Sequence, residues 1–117
     1  MRIKINKKSF NIKNLKICNE LEKFSGLMFS PKENARALLF NFKKPTRLAI
    51  HSFFVFYPFL AIWLDNKNKI VKVSVVKPFT PFVMPKKSFL KLIEIPLNKK
   101  YEKIAKSIYH RRVSQKI

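Results

Sequence analysis

The sequence predicts a mostly β domain with a short helix near its front and a basic amphipathic helix at its end. Three observations lead there. Residues 70–76, IVKVSVV, alternate Val71, Val73 and Val75 with Lys72 and Ser74, the period of a strand with one buried and one wetter face. Several other runs combine β-branched and aromatic side chains and stop at prolines or polar turns, as strands do. After Asn98 the period changes, and Tyr101, Ile104, Ala105, Ile108 and Tyr109 recur at helical spacing.

From the N-terminus, RIKI (2–5) and FNIKNLKI (10–17) read as two strands, with the polar NKKS between them as their turn. NELEKFSG (Asn19 to Gly26) reads as the short helix. It has an asparagine cap, Glu20 and Glu22 in the first turn where they favour the dipole, and the chain's single glycine at its end. The stretch IHSFFVFYPFLAIWLD (Ile50 to Asp65) predicts two buried strands, SFFVFY and LAIWL, with Pro58 breaking the ladder between them. NKNK then turns the chain into IVKVSVV, which makes a hairpin. KPFTPFVMPKK holds three prolines in eight residues and reads as an ordered loop or irregular edge. SFLKLIEI (Ser88 to Ile95) is a further strand, ended by Pro96. Asn98 is placed to cap the last helix, whose solvent face carries Lys99, Lys100, Lys103, Lys106, Arg111 and Arg112. The expected organisation is a β domain over residues 1–97 and a basic helical extension over 98–117.

The chain has 117 residues, 47% of them apolar and twelve of them phenylalanine, enough for one domain with a true core. Its charge is the strongest single fact: 26 Lys and Arg face six acids, a formal net charge of +20. Most of these cations have no carboxylate to pair with, and self-repulsion of that size destabilises a compact chain unless a polyanion offsets it. A lysine-rich proteome usually raises glutamate along with lysine, and glutamate is scarce here. Nucleic acid or an anionic membrane surface is therefore the expected partner.

One cysteine, Cys18, excludes an intrachain disulfide and any CxxC pair and points to a reducing compartment. MRIKINKKSF lacks an apolar signal core, so a cytoplasmic location is expected. Leu48 to Leu64 falls short of a membrane span and is interrupted by His51, Ser52 and Pro58. A single glycine rules out a dinucleotide fingerprint or P-loop, which need several positions where backbone meets phosphate. His51 and His110 lie far apart and the six acids are scattered, so no metal or other cofactor and no catalytic set is expected. Nothing in the spacing of Cys18, His51 and Asp65 suggests a nucleophilic triad, and Cys18 reads as a small buried hydrophobe. His51 and Ser52 read as a hydrogen-bonded core pair.

Three pieces in order carry a resemblance: GLMFS with ALLFNF (Gly26 to Ser30, Ala37 to Phe42), IHSFFVFYPFLAIWLDNKNKIVKV (Ile50 to Val73) and KPFTPFVMPKKSFLKLIEIP (Lys77 to Pro96). Covering most of residues 10–97, they resemble an uncharacterised archaeal and bacterial family, domain of unknown function 192. The resemblance implies a compact β sandwich or barrel, similar to a jelly roll, with a short helix before GLM. It implies no activity, because the family has none established. Val55 and Phe56 stand where the family shows Met and Arg, Leu60 where it shows Asp, and Phe79 where it shows Trp. KKYEKIAKSIYHRR replaces the glycines that follow its LELP-like strand. These departures imply that apolar groups fill any polar pocket of the family, leaving His51 and Ser52 as a residual polar site.

The expected function is non-catalytic binding of structured RNA in a ribonucleoprotein such as the ribosome, beside ribosomal RNA and neighbouring subunits. Phosphate contacts need cations and no pocket, and RNA is read largely through shape and backbone. The expected contacts are Lys43, Lys44 and Arg47, Lys86 and Lys87, and the helical Lys99, Lys100, Lys103, Lys106, Arg111 and Arg112. Tyr109 is expected under the helix rather than stacked on a base. Two alternatives remain: a small-molecule or enzymatic site in a pocket near His51, and a peripheral protein whose terminal helix lies on anionic lipid.

Overall fold

The computed structural model describes residues 1–5, 8–19 and 26–115. The expected helix at 19–26 lies almost wholly outside the described residues.

The N-terminal hairpin forms as expected, with β1 (Arg2–Ile5) antiparallel to β2 (Lys8–Asn11) and Ile3 opposite Phe10. FNIKNLKI does not continue as one strand. Asn14 takes a left-handed conformation (φ 55°), which asparagine tolerates better than most residues, and the chain crosses to a second sheet. There β3 (Lys16–Ile17) runs parallel to β4 (Leu38–Thr46). β5 (Phe59–Leu64), β6 (Ile70–Val76) and β7 (Phe89–Pro96) complete an open five-stranded sheet in the order β3-β4-β7-β5-β6. The fold is mostly β and sandwich-like, and the sheet does not close into a barrel.

β5 is buried along its whole length because it lies between β7 and β6 and is covered on both faces, which explains its unbroken apolar run. The β5–β6 turn is held by Asp65, whose Oδ1 accepts hydrogen bonds from the Lys67 and Lys69 amides at 2.8 and 2.9 Å. The amide bond from Lys69 leads the causes that hold this carboxyl below its usual range. β6 does not show the expected single buried face. Trp63 pairs with Lys72 and Leu64 with Ile70, so Val71 is an extra residue that shifts the alternation. As a result Val73 and Val76 are buried against opposite faces, while Val75 is 38% exposed.

On one face of the sheet, Leu60, Ile62, Leu64, Ile93 and Ile95 pack against Ile3, Phe10 and Ile12 of the N-terminal segment. The same cluster takes in Tyr101, Ala105 and Ile108 around α1 (Glu102–Gln115). Asn98 caps this helix as the spacing predicts, its Oδ1 accepting from the Tyr101 amide at 3.1 Å. Its Nδ2 also donates to the Lys32 and Ala35 carbonyls at 2.8 and 3.0 Å, tying the cap to a 3-10 turn at Lys32–Asn34. Tyr109 departs from expectation, being 38% exposed instead of packed beneath the helix.

On the other face, Phe40, Phe59, Trp63 and Leu92 pack under three loops, at 26–37, 47–58 and 77–88. SFFVFY lies in the second of these and forms no strand. Ser52 diverts its backbone: the hydroxyl donates to the Lys77 carbonyl at 2.5 Å and accepts from the Thr80 amide at 2.6 Å, while the Ser52 amide donates to the Thr80 carbonyl. Such side-chain bonds compete with a strand ladder. A turn from Ser52 to Val55 with Phe54 at φ 64° follows, so Phe53, Phe54 and Phe56 point outward where core packing was expected. No helix of the described residues is long and apolar enough to cross a membrane.

Candidate functional site

A cavity of about 390 Å³ opens between the sheet and the first two of these loops. Its floor is Phe40 and Phe42 of β4, Phe59 of β5 and Phe89, Leu92 and Glu94 of β7; Gly26 to Met28, Leu48 to His51 and Val55 form the roof and rim. Alternation along β7 puts Leu92 and Glu94 on the same side, so the one acid of the strand points into the apolar layer. Glu94 is 7% exposed. Burial pushes its carboxyl up to about 8, and among the described residues no charged or hydrogen-bonding partner offsets that rise. The adjacent Tyr57 phenol is pushed up to about 12, mainly by burial, with Ser30 opposing and the Glu94 charge adding to the shift.

Gly26 is what lets the carboxyl sit there. An added Cβ would stand 3.1 Å from Glu94 Oε1, and the residue's φ of 51° disfavours any side chain. Sequence reasoning passed over Glu94. An acid flanked by Ile93 and Ile95, within the apolar run SFLKLIEI, was the available signal.

The residual polar site expected at His51 and Ser52 is not a hydrogen-bonded pair. His51 is exposed at the cavity rim, where Nδ1 accepts the Phe53 amide at 3.3 Å. Ser52 is buried and bonds instead to the loop at 77–80. The Asp65 carboxylate is taken up by the β5–β6 turn, and Cys18 is buried. Among the described residues, no three His, Cys, Asp or Glu side chains gather as a metal would need.

The basic residues expected to meet phosphates fall into two groups, while other exposed cations, among them Lys4, Lys8, Lys13, Lys67 and Lys77, lie outside both. Lys43, Lys44 and Arg47 are exposed and adjoin Lys86 and Lys87, because Arg47 Nε donates to the Pro85 carbonyl at 3.2 Å and Thr46 pairs with Phe89. Lys99, Lys100, Lys103 and Lys106 are exposed around the start of α1, beyond the opposite end of β7. Eight strand residues separate the groups, roughly 25 Å at about 3.3 Å each. Arg111 and Arg112 do not join the solvent face expected for them. Both are half-buried, and Arg112 Nη2 donates to the Val71 carbonyl of β6 at 3.5 Å.

A third surface was not foreseen. Phe29 stacks on Phe54 with ring centroids 5.1 Å apart, and Phe56 meets Phe79 edge to face at 5.5 Å. Phe82 is exposed on the same set of loops, which are joined by the Ile50–Val83 bridge and by the Phe29 amide donating to the Phe54 carbonyl.

Together these features define a class: a small mostly β domain whose loops roof a cavity over a buried carboxyl. Residues 2–102 match the DUF192 family, described as Uncharacterized ACR, and the chain belongs to it. Two solved structures share the fold. One is a protein of unknown function from Novosphingobium aromaticivorans, 13% identical with a TM-score of 0.68, covering 87% of this chain and 74% of that one. The other is a putative transcription regulator from Sinorhizobium meliloti, 12% identical with a TM-score of 0.69, covering 88% of this chain and 81% of that one. Among curated proteins nothing matches.

Proposed function

We propose that this chain is a non-catalytic module that binds structured RNA within a ribonucleoprotein, the ribosome being the assembly its size and charge suit best. The observation that carries this is the distribution of its unpaired charge. Of the six acids, Glu94 is buried in the cavity, Asp65 is bound to turn amides, Glu33 accepts the Lys99 amide and Glu102 pairs with Lys106 at 2.8 Å; Glu20 and Glu22 lie outside the described residues. The 26 cations therefore have few carboxylate partners among the described residues, and Lys43, Lys44, Arg47, Lys86 and Lys87 at one end of β7 and Lys99, Lys100, Lys103 and Lys106 at the other give two exposed groups suited to a phosphate backbone. Between paired strands, RNA presents loops whose bases stack on aromatic rings, and the exposed phenylalanines offer such platforms. The apolar stripe of α1 is already spent on the core, which argues against that helix lying on lipid.

Fluorescence-anisotropy titration tests this with a hairpin RNA, its duplex stem alone and anionic vesicles, against the protein and a Phe56→Ser/Phe82→Ser variant. Stacking is worth ~1–3 kcal/mol per base, so the variant should lose roughly tenfold for the hairpin and little for the duplex. Binding to vesicles with none to RNA would replace RNA by a lipid surface.

A further inference from the structure

The RNA reading makes no use of the cavity, and the cavity has a feature that empty packing defects lack. Its volume of about 390 Å³ lies in the range of small-ligand sites, and its walls are apolar apart from Glu94 and the rim His51. Voids left by imperfect packing are apolar throughout. Here a carboxyl that is 7% exposed stands in the wall, and burial displaces its titration upward with no partner among the described residues to oppose it. A buried polar group without a partner is costly. The chain carries 26 lysines and arginines, yet none of the described ones neutralises this carboxyl. The backbone moreover accommodates it: Gly26 leaves the space beside Oε1 that any side chain would crowd.

We propose that the cavity binds a small apolar molecule ending in a primary amine or amidine, its nitrogen docked on the Glu94 carboxyl and its hydrocarbon body held against Phe40, Phe42, Leu92 and Val55. The ligand supplies the hydrogen-bond donors and the positive charge that the described residues do not, and a charge-assisted bond in an apolar site is among the stronger polar contacts. The walls select for shape, the carboxyl for the head group. The net charge of +20 repels a free cation. Salt screens that long-range repulsion more than it screens a buried pair. Amine affinity is therefore expected to hold or rise as salt is added, the opposite of RNA affinity.

Phenethylamine and its neutral isostere phenethyl alcohol are the probes, with the Met28 methyl on the cavity wall as the NMR reporter. The amine should shift that signal saturably and bind at least tenfold more tightly than the alcohol. Glu94→Gln should abolish the preference while leaving the alcohol's affinity in place, and Met28→Trp, which fills the cavity from a half-buried wall position, should weaken both probes, read from leucine and valine methyls. Equal binding of amine and alcohol would overturn the proposal, as would a preference that survives Glu94→Gln or the absence of any shift up to the probes' solubility. RNA binding by the two variants should be unchanged, so failure here is separable from failure of the RNA reading.

Discussion

Gly26 and Glu94 are matched across the cavity: the carboxyl Oε1 lies 3.1 Å from where a Cβ on residue 26 would stand. One residue opens the first loop and the other lies near the end of the last strand, yet each constrains the other. Gly26→Ala adds left-handed strain, ~1–2 kcal/mol, and presses on the Glu94 carboxyl, which must shift toward the cavity. We expect a Tm lower by roughly 4–8 °C on a chain of this size, measured by circular dichroism at neutral pH.

Glu94 should make stability fall as pH rises. Its folded carboxyl titrates at about 8 against an ordinary value of 4.5, so the protonated form favours the fold. Its stabilising contribution is fully present below the unfolded value and is lost progressively between 4.5 and about 8. Glu94→Gln should remove that dependence and be more stable than the parent above pH 8, by an amount on the order of a few kcal/mol. Below pH 4.5 the two should nearly coincide in denaturant titrations.

Asn98 holds three backbone groups at once, the Tyr101 amide and the Lys32 and Ala35 carbonyls. Asn98→Ala loses a helix cap and leaves the buried Ala35 carbonyl and the partly buried Lys32 carbonyl without this donor, which together should cost ~2–4 kcal/mol. Asn98→Asp keeps the acceptor but not the two donated bonds and should fall between. Urea unfolding of the three proteins gives the order directly.

The helix is a covering layer of the core, so Ile108→Ala should destabilise by ~2–4 kcal/mol, in line with large-to-small changes at buried sites. Tyr109→Ala, one position along, should cost less than about 0.5 kcal/mol, as surface changes do. Equal effects at the two positions would contradict the packing described here.

Much of the fold was legible because period and punctuation agree with burial. LAIWL and IVKVSVV pair through an Asp65 turn, SFLKLIEI forms β7, and Asn98 caps the terminal helix. Legibility failed where a side chain competes with the ladder. SFFVFY has strand composition, yet Ser52 bonds the loop at 77–80 and turns three phenylalanine rings outward. A run of phenylalanines does not reveal which rings will face solvent. The site was hidden for the converse reason: Glu94 reads as a solvent-facing acid until β4 and β5 are known to flank its strand and the loops to cover it. Arg111 and Arg112 were placed on the solvent face by helical spacing alone, which does not register that β6 lies within their reach.

The most direct test of RNA binding is the salt dependence of affinity for a hairpin RNA, measured on the protein and two folded variants. One is Lys43→Gln/Lys44→Gln/Lys87→Gln, at the β4–β7 group; the other is Lys99→Gln/Lys103→Gln/Lys106→Gln, at the start of the helix. Each phosphate contact contributes about −0.7 to −0.9 to the slope of log affinity against log salt. If both groups meet phosphates, each variant should flatten the slope by roughly two to three units. Unchanged affinity and slope in both variants, with circular dichroism confirming an intact fold, would contradict the account.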